Sequence, residues 1–159
     1  MTDTAQVSLP TTASRSIEIA APPEVVYDLV SDVTRTGEWS PECRSCEWLD
    51  EPGRVGSRFK GHNRSGPARW TTTAKVVRAE RPHAFGFATL FKDGDATRWT
   101  YEVAPSDGGT TLTESFESVD APAFIKLAER FFIRNRQEQL EKGIDETLAK
   151  IKAIAEQTA

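Results

Sequence analysis

Long hydrophobic runs are missing from this 159-residue chain. None approaches the roughly 18–20 apolar residues that a membrane-spanning helix needs, which excludes an integral membrane segment of that kind. Histidine and cysteine are scarce, at two each. Cys43 and Cys46 form a C-x-x-C pair, but His62 and His83 stand at spacings unlike those of common zinc modules, so no metal site is expected. Positive charge is not in excess: the net charge is −4, which argues against a nucleic-acid partner, since such proteins concentrate basic residues on one face. There is no G-x-S-x-G, no glycine-rich phosphate loop and no nucleophile constellation, and no cofactor is implied. The first residues lack the charged-then-apolar pattern of a secretory signal, so a cytoplasmic location is expected.

What remains is the composition of a soluble globular chain, 38% hydrophobic and 28% charged, long enough for one domain with a sizeable core. Residues 1–14 are polar, small and threonine-rich, and read as a disordered tail before a domain spanning 15–156. A short strand is expected over Arg15–Ala20. Pro22 and Pro23 then open a helix whose stripe is Val25, Val26, Leu29 and Val30, with a second short helix over Val33–Trp39. Six alternating segments follow, at Arg44–Leu49, Val55–Arg64, Arg69–Glu80, Ala84–Phe91, Thr97–Val103 and Thr110–Val119. Tight turns such as Lys92-Asp93-Gly94-Asp95 and Asp107-Gly108-Gly109 join them, which implies an antiparallel meander. From about Ala121 to Ala155 apolar residues recur at helical spacing: Ile125, Ala128, Phe132, Leu140, Ile144, Leu148, Ile151 and Ala155. Such a helix needs a broad apolar surface, and a curved sheet that wraps it tends to leave a cavity.

The strand faces name the candidates for that cavity. Phe59, Trp70, Phe87, Trp99, Tyr101 and Phe116 share the inward alternation, together with Asn63 beside the gap at Gly61. Glu114 is the most pointed, because it lies between Leu112 and Phe116 where a bare carboxylate is costly. It is either a cavity carboxylate with a raised pKa, able to hold a ligand hydroxyl or move a proton, or a residue near a sheet edge or beside a cation or a tryptophan N–H. Arg136, which interrupts the helix stripe between Phe132 and Leu140, is a candidate partner, or else a solvated arginine whose stem covers the core. Gly143 interrupts the same stripe. Trp39, just before Ser40-Pro41, is expected to line or gate the mouth of the cavity. His62 falls on the solvent face. The two cysteines open a strand rather than a helix and lie three apart, so alternation sends them to opposite faces and the spacing reads as chance.

The element order resembles the helix-grip fold of the START-like superfamily. The segments Thr34-Arg35-Thr36-Gly37-Glu38-Trp39-Ser40-Pro41-Glu42, Gly61-His62-Asn63-Arg64, Thr97-Arg98-Trp99-Thr100-Tyr101 and Thr113-Glu114-Ser115-Phe116-Glu117 are similar to its bacterial polyketide cyclase/dehydrase-like branch. The resemblance implies an α+β fold: a seven-stranded antiparallel sheet wrapped around a long C-terminal helix, with two short helices after strand 1. It also implies an internal cavity for a hydrophobic small molecule such as a lipid or polyketide. It does not imply a reaction, because the fold hosts carriers, enzymes and regulators. Binding of such a molecule through Trp39, Phe59, Asn63, Trp70, Phe87, Trp99, Tyr101, Glu114, Phe116, Phe132 and Arg136 is therefore the first expectation. A polyketide-type cyclase or dehydratase with Glu114 as the catalytic acid/base is the alternative, and a regulatory interaction protein the weaker third.

Overall fold

The computed structural model describes residues 12–92, 94–119 and 123–159, of which 123–137 are described without their side chains. The first strand, β1, spans Thr12–Ile19. Residues 12–14, assigned from composition to the tail, are thus strand residues, because Thr12, Ala13 and Ser14 pair with Glu117, Phe116 and Ser115. Tail residues 1–11 lie outside the described residues. Helix α1, Pro23–Ser31, begins where proline has its ring-set φ and no N–H to leave unpaired, and it buries Val26, Tyr27, Leu29 and Val30. The second short helix is a 3-10 helix, Val33–Glu38, started by Asp32, whose carboxylate accepts from the Thr34 backbone N–H at 3.2 Å.

Six more strands complete one antiparallel sheet: β2 Cys43–Trp48, β3 Arg58–Ser65, β4 Ala68–Glu80, β5 Ala84–Phe91, β6 Gly94–Ser106 and β7 Gly109–Ser118. Their order in space is β1-β7-β6-β5-β4-β3-β2, so β1 and β2 are the edges. The meander holds as expected, with β1 crossing to the far end. β3 starts three residues later than its alternation suggests, because Gly56 takes a φ of 92° and turns Val55 outward. Register shifts occur between Cys43 and Ser45, between Val76 and Arg78, and between Thr89 and Leu90. Each adds a residue to one strand and bends it, which is how a sheet of this width curls rather than lying flat.

Helix α2, Ala123–Thr158, lies against β1, β7 and α1. Its C-terminal part supplies Ile144, Leu148, Ile151 and Ala155 to a core shared with Ile19, Val26, Val30, Phe85, Val103 and Leu112. Arg15 on β1 clasps Asp145 with Nε and Nη2 at 2.9 and 3.0 Å, and Lys152 Nζ donates to the Glu18 carbonyl at 2.7 Å. The architecture is α+β, a helix gripped by a seven-stranded antiparallel sheet. No helix among the described residues is long and apolar enough to cross a membrane.

Candidate functional site

The sheet does not close onto α2 along its whole length. Between them lies a cavity of about 440 Å³, within the range that holds a drug-sized ligand. Its floor is built by inward residues of β3 to β7 and its roof by Gln139, Leu140, Gly143, Ile144 and Thr147 of α2. The strand alternation that buries Val103 and Leu112 farther along also aims Tyr101 and Glu114 into this space. Gly143 contributes to the room: a Cβ added there would meet nothing within 4 Å.

Glu114 is 4% exposed, on β7 between two fully paired neighbours, so it is not an edge residue. Tyr101, directly across on β6, donates its hydroxyl to Glu114 Oε1 at 3.2 Å. Oε2 has no hydrogen-bond partner among the described residues. Burial, only partly offset by the Tyr101 hydrogen bond, pushes the Glu114 carboxyl up to about 8. Near neutral pH it is mostly the neutral acid, so a residue of the cavity lining carries a proton. Burial, together with the nearby Glu114, holds the Tyr101 hydroxyl well above its usual 10, while a hydrogen bond from the Trp39 indole acts the other way. Trp39, Tyr101 and Glu114 thus bring three polar tips together in the cavity wall.

The structure brings most of the expected residues together. Phe59, Phe87, Trp99 and Phe116 line the cavity, with Phe59 edge-on to Phe87 at 5.3 Å and Trp99 against Phe116 at 4.8 Å. Asn63 also lines it and donates Nδ2–H to Thr72 Oγ1 at 3.2 Å, so its amide is tied to the neighbouring strand. Trp70 also lines the cavity, from the inward face of β4, and is 39% exposed. A first expectation needs correction. Trp39 does not gate the mouth: it is 2% exposed, held in the inner wall where the 3-10 helix ends against β2. The side chains of Phe132 and Arg136 lie outside the described residues. The described partner of Glu114 is Tyr101, a pairing the strand register supplies and the helix stripe could not reveal.

The cysteines overturn the alternation argument. Both thiols line the cavity, with Sγ atoms 3.2 Å apart. The register shift between Cys43 and Ser45 inserts Arg44 as an extra residue and returns Cys46 to the face of Cys43. The C-x-x-C motif was the visible signal; the bulge that gives it meaning was not. His62 faces outward and meets Glu47 Oε1 at 3.0 Å. On that outer face of β3 and β4, Arg44, His62, Arg64 and Arg69 help line a separate groove of about 470 Å³.

A family model described as polyketide cyclase/dehydrase and lipid transport matches residues 10–156. The chain belongs to that family. Among solved structures, a polyketide cyclase-like protein of Corynebacterium glutamicum is 38% identical, with 91% of each chain covered and a TM-score of 0.66. The ZhuI aromatase/cyclase of Streptomyces sp. R1128 is 16% identical, covering 91% of this chain and 93% of its own, with a TM-score of 0.70, a likeness of fold. A protein of Chromobacterium violaceum, 21% identical over 92% and 99% of the two chains, has a TM-score of 0.68. No curated protein sequence matches the chain. Membership of the polyketide cyclase/dehydrase and lipid-transport family accords with a ligand-binding fold.

Proposed function

We propose that this protein binds a hydrophobic small molecule of the lipid or polyketide kind in the cavity between the sheet and α2. The observation that carries the reading is Glu114 Oε2, buried and without a partner among the described residues, in the wall of a cavity that also presents Phe59, Phe87, Trp99 and Phe116. A buried polar atom without a partner costs about 1–3 kcal/mol, and a ligand carbonyl or hydroxyl accepting its proton would recover that cost. Trp39, Trp70 and Trp99 line the cavity, so intrinsic fluorescence reports occupancy directly. Native mass spectrometry of the protein purified from its own host tests the proposal. A retained mass of about 200–600 Da supports it, as fits a pocket of this size. Consistent absence of any retained mass, with no fluorescence response to apolar probes, overturns it.

One observation favours a second reading, a cyclase or dehydratase. A carboxyl with a pKa of about 8, hydrogen-bonded to a tyrosine, is placed to protonate a leaving hydroxyl or polarise a carbonyl, and then to take the proton back. Glu114→Gln separates the two. Under binding alone it leaves apolar-probe affinity within about threefold, under 1 kcal/mol. Under catalysis it removes turnover by the roughly 10²–10⁴-fold that a general acid contributes.

A further inference from the structure

Cys43 and Cys46 are free thiols on the cavity wall, brought to 3.2 Å by the bulge at Arg44. Gly61 stands opposite Cys46, and a Cβ there would lie 3.7 Å from both sulfurs, so the glycine keeps the space over the pair open. No group of three or more His, Cys, Asp or Glu residues gathers into a metal site among the described residues. We propose that Cys43 and Cys46 form a redox-active dithiol that exchanges with a small-molecule disulfide admitted to the cavity, closing into a disulfide in the cavity wall.

The two sulfurs have unequal roles. A hydrogen bond from the Cys46 thiol, helped by backbone hydrogen bonds at Ser45 and His62 and by the charge of His62, outweighs burial and brings Cys43 down to about 7. The same hydrogen bond, with burial and the Cys43 charge, pushes Cys46 far up. The Cys43 thiolate attacks one sulfur of the small disulfide R–S–S–R. A Cys43–S–S–R bond forms, and the other sulfur leaves as a thiolate that takes a proton from solvent. Cys46 has then lost the hydrogen bond and the charge that held its proton. It releases that proton to solvent and attacks Cys43 Sγ, and the second R–S⁻ leaves and is protonated in turn. The net change converts two protein thiols to a disulfide and R–S–S–R to two R–SH. Because both sulfurs line the cavity, a bound ligand would shield them, and the oxidised wall would present a different surface to a ligand.

Bis(2-hydroxyethyl) disulfide, compact and uncharged, is the probe, and intact mass is the reading. Wild-type protein is expected to lose two hydrogens and keep no adduct. Cys46→Ser is expected to trap one mercaptoethanol on Cys43, to which the serine hydroxyl can still donate, and Cys43→Ser to react at least about tenfold more slowly, since burial still holds the proton on its remaining thiol and no such donor replaces the loss. An adduct that persists on wild type, or equal rates for the two variants, overturns the proposal. The wild-type reading needs no variant, so a fold defect in either serine form does not blunt the test.

Discussion

Glu114 shows how much one residue's meaning depends on its neighbours. Its place in an apolar alternation was visible in the chain, and so was the cost of leaving it bare. Its partner was not, because Tyr101 meets it through the register of β6 and β7, across thirteen residues of sequence. The consequence for stability has a definite sign. The folded carboxyl titrates near 8 against a usual 4.5, so between those pH values the folded chain holds a proton that the unfolded chain has released. Stability therefore falls as pH rises from about 4.5 to about 8 and levels off above, by up to about 1.4 kcal/mol per pH unit. Thermal melts across that range should show the decline in wild type and a flatter profile in Glu114→Gln. Equal slopes in the two proteins would mean that Glu114 ionises freely in the fold. The cysteines are the complementary case, a pair whose type and spacing were plain and whose geometry depended on one inserted residue.

At the scale of elements, the period-two and period-3.6 patterns located all seven strands and both α-helices to within a few residues. They missed where the chain departs from a regular period. Val55 was placed in a strand that Gly56 prevents, and Arg44 was taken as an ordinary strand residue when it is the bulge. The junction between the 3-10 helix and β2 depends on Gly37, where a Cβ would lie 2.1 Å from the Arg44 carbonyl oxygen. Gly37→Ala must push these segments apart, and urea unfolding should show a loss of about 3 kcal/mol, the upper end of overpacking costs. Gly143 is the opposite kind of glycine. It sits within α2 over open space, so Gly143→Ala should stabilise by about 1 kcal/mol in the same measurement, through helix propensity alone. A bulkier Gly143→Leu should keep the fold and weaken apolar-probe binding by filling the roof of the cavity.

For the whole molecule, α2 divides into two functions along its length. The end carrying Leu148, Ile151 and Ala155 is sealed into the core, while Leu140, Gly143 and Ile144 roof the cavity. Ile151→Ala should then cost about 2–5 kcal/mol, the range for a fully buried aliphatic side chain. Leu140→Ala should cost less, because its side chain already borders empty space. Comparable losses in chemical denaturation would mean that the helix is packed evenly and the cavity is not a feature of the folded state in solution. What the sequence by itself determined was the fold class and the inward set of aromatic residues. Side-chain direction in a regular strand or helix follows from local periodicity, and that information is written residue by residue. The tertiary structure alone decided that a cavity remains under α2, that Glu114 keeps one oxygen unpaired among the described residues, that two thiols meet in the wall and that three arginines share a groove. Those depend on bulges, sheet curvature and cross-strand register, which arise from contacts between segments distant in sequence and leave no periodic trace within any one of them.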